Sequence, residues 1–154
     1  GVPISTHTSV AEATGPAQQD VFEEAGVDLT RVVIGHCGDS TDIAYLESIL
    51  TRGSTIGMDR FGLDMVLPTK QRVSTLAELC RRGWAGQMVL SHDACCHIDW
   101  FPVELVRQVA TRWNFRHICD DVIPALREEG VPEEQIRQMT TENPRKLFER
   151  QGAY

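Results

Sequence analysis

Arg31-Val32-Val33-Ile34-Gly35-His36, residues 31–36, is an apolar run that ends in a side chain able to bind a metal. Two other stretches have the same form. Val2-Pro3-Ile4-Ser5-Thr6 leads into His7, and Gln87-Met88-Val89-Leu90-Ser91 leads into His92 and Asp93. Short apolar runs of this kind, bounded by turn residues, read as strands covered on both faces. In a parallel α/β barrel the C-terminal strand ends meet in one mouth, so His7, His36 and Asp93 can converge on one ion although they are far apart in sequence.

Outward from these strands the chain reads as four strand–helix units and a helical tail. The first strand, near 2–7, is followed by a helix from about Gly15 to Ala25. The second, 31–36, is followed by a helix near 40–52 with Ser40 or Thr41 as its cap. A third strand, Ser54–Asp59, precedes a loop through Pro68 and a helix over 69–82. The fourth, 86–92, opens a long loop to about residue 112 and then a helix from Phe115 to Glu129, kinked at Pro124. Two short helices follow, at 132–139 and 143–150, the second with Asn143 as cap and Pro144 in its first turn. Gly26, Gly53, Gly83 and Gly130 stand where the main helices should stop. Such alternation is the pattern of a parallel sheet covered by helices. A complete eight-unit barrel takes about 250 residues, so four units make half of one. An open flavodoxin-like sheet would fit the length but would not account for ligand residues at three strand ends. No linker, charge block or low-complexity tract divides residues 1–154, which are expected to form one partial barrel domain.

Composition narrows the function. With 42% hydrophobic and 24% charged residues the chain has the make-up of a soluble globular protein. A net charge of −7 argues against non-specific nucleic-acid binding. No apolar run reaches the roughly 20 residues of a membrane helix, and no signal peptide is visible. Cys37, Cys80, Cys95, Cys96 and Cys119 are odd in number and form no CxxC, which points to a reducing cytoplasm and away from a structural zinc site. The missing initiator Met and the start at Gly1, inside a strand, suggest an upstream portion. No GxGxxG or P-loop supports a nucleotide cofactor.

Each candidate ligand has an ordinary alternative. His7 could be a hydrogen-bonded histidine of no special function. His36 lies among glycines that allow close backbone approach, with Asp39 in reach as an orienting group or proton acceptor. Asp93 follows an apolar strand, where a carboxylate needs a cation, an arginine or a helix cap. Taken together, two imidazoles and a carboxylate suit zinc, manganese, iron or cobalt. Such an ion yields a hydroxide near neutral pH and polarises an ester or phosphoryl oxygen, as in a metal-dependent hydrolase. Cys95-Cys96-His97 could suggest a nucleophilic thiol but reads better as packed or pocket-lining, His92 on the other strand face reads as structural, and His117 on a helix reads as exposed or packed. The pairs Glu23-Glu24, Asp120-Asp121 and Glu133-Glu134 read as solvated helix faces.

Longer motifs add to this. Ser5-Thr6-His7-Thr8, Gly35-His36-Cys37-Gly38-Asp39, Gly57-Met58-Asp59-Arg60-Phe61-Gly62 and Ser91-His92-Asp93-Ala94-Cys95-Cys96 resemble the phosphotriesterase family of the amidohydrolase superfamily, above all its lactonase branch. His97-Ile98-Asp99-Trp100, Arg112-Trp113 and Glu142-Asn143-Pro144 agree, so the likeness covers nearly the whole chain in order. The resemblance implies the C-terminal half of a (β/α)8 TIM barrel, strands five to eight, with C-terminal helices. It implies two divalent transition metals bridged by hydroxide in a complete site, zinc first, with cobalt, iron or manganese as alternatives. His7 and His36 match the ligands of one metal. Asp93 matches the aspartate that ligates the other and takes the proton from the attacking hydroxide, and Asp39 matches an acidic residue of the proton path. Arg60, Cys95 and Trp100 match positions lining the substrate pocket. The implied reaction is hydrolysis of lactones of the acyl-homoserine type, with promiscuous organophosphate triester hydrolysis, in a cytoplasmic enzyme that is a homodimer at full length. The family's HxH pair and its carboxylated lysine have no counterpart here, and Lys70 and Lys146, the only lysines, fall in expected helices. The alternative is a non-catalytic half-barrel that binds at most one metal.

Overall fold

The computed structural model describes residues 2–95, 97, 99, 102–149 and 152. Four parallel strands lie side by side in sequence order: β1 Ile4–Thr6, β2 Val32–Ile34, β3 Thr55–Met58 and β4 Met88–Leu90. The register sets Ile4 beside Val32, Ile34 beside Ile56, and Ile56 beside Met88. One side chain in two from each strand therefore points to the same face. On one face Val32, Ile34, Ile56, Met58 and Met88 are fully buried. They pack with Leu46, Ile49 and Leu50 of α2 (Ile43–Leu50), Leu76 and Leu79 of α3 (Thr69–Arg81), and Leu126 further along. On the other face Ser5, Val33, Gly35, Gly57, Val89 and Ser91 line a cleft of about 590 Å³. This is the half-barrel arrangement: helices on the outside, strand residues turned to an inner cavity whose C-terminal rim carries His7, His36 and Asp93.

The strands are shorter than the apolar runs suggested, three or four residues each. The helix stops are as expected, and Gly26, Gly53, Gly83 and Gly130 all have positive φ. Three local readings are corrected. The cap of α2 is Asp42, whose carboxylate accepts from the Tyr45 amide, while Ser40 accepts from the Asp42 amide. The loop after β4 contains a further helix, α4, Val103–Val109. Asn143 is not a cap, because the tail is helical without a break through α6 (Glu133–Arg137), Gln138–Glu142 and α7 (Asn143–Glu149). Buried instead, it donates to the carbonyls of Ala85 and Met88 at 2.7 and 2.8 Å and ties the tail to the start of β4.

Two of the helical prolines, both late in the chain, explain their surroundings. Pro124, in α5 (Ile123–Glu128), follows a widened π-type turn over Ile118–Val122, and Pro144 follows another over Gln138–Glu142. Proline has no N–H to donate, and its ring presses on the carbonyl four residues back. Those carbonyls, of Asp120 and Thr140, lie inside the two widened turns, so the helix runs on past Pro124, where a kink was expected, and past Asn143, where a break was expected. Among the described residues no helix is long and apolar enough to cross a membrane.

Candidate functional site

Three residues at the rim share an unusual backbone. His36, Arg60 and Asp93 follow β2, β3 and β4 and have φ of 60°, 59° and 52°, in the left-handed region. For residues with a Cβ this costs on the order of 1–3 kcal/mol each and persists only where neighbours enforce it. The neighbours here are charged side chains, and they fall into two groups.

The first group is a histidine pair. His36 Nε2 faces His7 Nδ1 at 2.8 Å, with the rings edge to face. Behind it, Asp59 grips His36 twice: Oδ2 accepts from the His36 amide at 2.8 Å and Oδ1 lies 3.1 Å from Nδ1. Asp59 raises the His36 pKa, and burial of the ring works the other way. With its proton on Nδ1 toward Asp59, His36 presents Nε2 as a lone pair toward His7, the tautomer a carboxylate imposes on a metal-binding histidine. Asp59 is a site residue that sequence reasoning misses. The signal was there, since it is an ionisable residue closing an apolar strand, as His7, His36 and Asp93 do. Gly38 makes room for it: a Cβ there would stand 2.6 Å from the Asp59 carbonyl oxygen and 2.7 Å from its nitrogen.

The second group is a line of alternating charge. Arg60 Nε donates to Asp93 Oδ2 at 3.2 Å, and its Nη1 donates to Asp39 Oδ2 at 2.8 Å. Asp39 Oδ1 then meets Arg72 Nη2 at 2.7 Å, close in distance but poorly aligned for a hydrogen bond. Burial of Arg60 opposes its charge, yet Asp39 and Asp93 together hold its pKa above even the usual arginine value. So the partner that Asp93 required is an arginine. Arginine does not release its proton in proteins, so the line from Asp93 to Asp39 through Arg60 is closed to a proton. The two groups touch where Asp93 Oδ2 comes within 3.9 Å of His36 Nδ1, the nitrogen turned away from His7.

For a divalent metal the donor types fit. Two imidazole nitrogens converge, one of them from a ring oriented by a carboxylate. Among the described residues, however, no three His, Cys, Asp or Glu side chains come together as a ligand group. Cys95 is exposed and lines neither the inner cleft nor the apolar recess described below, so its alternative reading as a buried thiol is not met. Trp100 lies outside the described residues. Cys37, next to His36, is fully buried, and desolvation pushes its thiol far above the usual range, which makes it a packing residue. His92 and His117 are structural. His92 Nε2 accepts from the Ile118 amide, and His117 is buried between Thr69 Oγ1 and Asp121 Oδ2.

Beside the charged line lies an apolar recess of about 240 Å³. It is formed by Leu63 and Met65 from the segment after Arg60, by Leu105, Val106 and Val109 of α4, and by Trp113. The Trp113 indole N–H donates to the His92 carbonyl, next to Asp93, and so fixes one wall of the recess to the rim.

Comparison with known proteins agrees with this geometry. A family model described as the phosphotriesterase family matches residues 1–148. The chain superposes on a structure of the phosphotriesterase from Mycobacterium tuberculosis with a TM-score of 0.97 at 55% identity, covering 99% of this chain and 47% of that one. It is 42% identical over 149 residues to the aryldialkylphosphatase of Saccharolobus solfataricus, covering 96% of this chain and 48% of the relative. A mutant of a phosphotriesterase-like lactonase from Deinococcus radiodurans is 38% identical, with a TM-score of 0.84 over 96% of this chain and 48% of that one. The chain thus spans about half the length of these relatives. With a family match over nearly its whole length and a half-barrel that superposes on theirs, the chain belongs to the phosphotriesterase family.

Proposed function

We propose that this chain is strands five to eight, residues 1–154, of a metal-dependent hydrolase that opens lactones of the acyl-homoserine type and hydrolyses organophosphate triesters as a side activity. The observation that carries the reading is the meeting of His7 Nδ1 and His36 Nε2 at the rim, with Asp59 holding the far nitrogen of His36. His7 and His36 would hold one divalent transition metal and Asp93 a second, zinc being the first choice and cobalt, iron or manganese alternatives; further ligands come from outside these residues. Bound there, such ions make a hydroxide available near neutral pH and polarise the oxygen of the substrate.

The chain's own residues supply the remaining roles. Asp93 accepts the proton released as the carbonyl carbon or phosphorus is attacked. Its carboxylate is 46% exposed and faces the cleft, while Arg60 holds Oδ2 and so fixes its orientation. Asp39, the expected proton carrier, is better placed as the anchor of Arg60, because no proton passes through the arginine between them. The apolar recess beside Arg60 suits the acyl chain of a lactone and has no use for a compact phosphotriester, which favours lactones as the principal substrates. Cys95 and Trp100 would line the substrate pocket, as the family resemblance implies. The partners are small molecules; neither nucleic acid nor membrane has a role, and the complete enzyme is a cytoplasmic homodimer.

The decisive assay is Asp93→Asn in a complete barrel carrying these residues. Loss of a general base lowers kcat by about 10²–10⁴-fold, with the fold retained. A variant that keeps more than about a tenth of kcat contradicts the proton-acceptor role. One observation favours a second reading, a half-barrel without catalysis that binds at most one metal: among the described residues no third ligand joins the histidine pair. Absence of lactone turnover in the complete barrel would select it.

A further inference from the structure

We propose that Arg72, which lies outside the mouth and lines no part of the cleft, is the positioning residue that sets Arg60 and, through it, Asp93. The consequence for catalysis rests on the hydrolase reading above; the positioning itself does not.

Arg72 stands in the first turn of α3 and is completely buried. Both features count against an arginine. A buried guanidinium loses its hydration, and a cation at a helix N-terminus opposes the helix dipole. A residue needed only for packing at this point would be apolar. Instead two of its guanidinium nitrogens donate hydrogen bonds, and the third stands in close ion contact with a carboxylate, out of line for a hydrogen bond. Nε donates to the Leu67 carbonyl at 3.0 Å, Nη1 donates to the Asp59 carbonyl at 3.0 Å, and Nη2 meets Asp39 Oδ1 at 2.7 Å.

The last two contacts bracket Arg60. The Asp59 carbonyl immediately precedes Arg60, whose backbone is held at a φ of 59°. The other oxygen of Asp39 accepts from Arg60 Nη1 at 2.8 Å. Arg72 therefore fixes both the backbone that aims Arg60 and the carboxylate that receives it. Arg60 Nε is thereby aimed at Asp93 Oδ2, which it reaches at 3.2 Å. Asp39 and Asp93 follow β2 and β4, and Arg60 follows β3, so one buried arginine on α3 sets three separate strand-end turns relative to one another. A lysine could not replace it, because a single ammonium cannot reach two carbonyls and a carboxylate spread across the width of a guanidinium.

The test is the exchange of the Arg60 Nε proton with water, followed by nitrogen-15 NMR in the wild-type chain and in Arg72→Lys and Asp39→Asn. Strand amides serve as the control for an intact fold. With Arg60 held by Asp39 and Asp93, its Nε proton exchanges slowly in the wild type. In both variants it exchanges faster by roughly tenfold or more, with the amides of Ile34, Ile56 and Met88 unchanged. Exchange within about twofold of wild type in a folded Arg72→Lys overturns the proposal. If that variant does not fold, Asp39→Asn tests the relay instead, because it leaves Arg72 its two carbonyl contacts and removes the charge through which Asp39 holds both Arg72 and Arg60. Unchanged exchange there overturns the proposal equally. Neither measurement needs metal or substrate, so absence of lactone turnover and failure of this proposal are separate results.

Discussion

On the β1–β2 side of the mouth two imidazoles meet nitrogen to nitrogen, with a single carboxylate behind one of them. On the β3–β4 side four charged groups, Asp93, Arg60, Asp39 and Arg72, alternate in sign from the cleft down to a fully buried guanidinium. The first side brings two imidazole nitrogens within 2.8 Å, one donating to the other, and release of that single proton leaves both able to take an ion. The second has its charges already matched, which suits holding a carboxylate in one orientation. Asp59 belongs to both: its side chain grips His36, and its carbonyl receives Arg72. Three strand-end turns with the same left-handed backbone, at His36, Arg60 and Asp93, thus serve two purposes, and the purpose is set by what lies beneath each turn.

This contrast can be broken from either side. The largest effect on stability should come from Arg72→Met, which leaves Asp39 buried without its deeper partner. A cost of about 3–5 kcal/mol is expected, read from the urea midpoint, with partial recovery when Asp39→Asn is added. Asp59→Ala acts on the histidine side. It removes the acceptor for both the His36 amide and Nδ1 and should cost about 1.5–3 kcal/mol. The same change should weaken zinc binding by about 10–100-fold in a direct titration, whereas Arg60→Ala should leave zinc at the histidines nearly unaffected. Gly38→Ala presses a Cβ on the Asp59 backbone, where the two sides join, and should cost about 1–3 kcal/mol. The smallest effect is expected outside both groups. Arg82 makes exposed ion pairs with Glu78 and Glu47, and Arg82→Ala should leave the urea midpoint unchanged within error.

Much of this could be read from the residues before any coordinates. The three apolar runs closing in His7, His36 and Asp93 are strands of one parallel sheet, because their pattern depends on short-range chemistry that a sequence carries. Four glycines marked the helix ends for the same reason. The charged line was not visible. An arginine in the first turn of a helix looks like any solvated residue, and only the packing of α3 against the loops after β2 and β3 buries Arg72. Asn143 misled through a local signal. An asparagine followed by proline reads as a helix start, but the helix was already running, and the widened turn over Gln138–Glu142 absorbs the proline. Asp42 won the cap of α2 over Ser40 and Thr41 for a similar reason: three capping types stood in a row, and only the geometry of the turn could choose among them.

The central claim, that His7 and His36 together take a metal, is tested most directly by titrating zinc into the chain while following the histidine ring nitrogens by long-range proton–nitrogen correlation. His7 Nδ1 and His36 Nε2 are expected to shift together at one equivalent, while both nitrogens of the buried His117 stay where they were. Shifts confined to other histidines, or binding that survives His36→Ala unchanged, would contradict it.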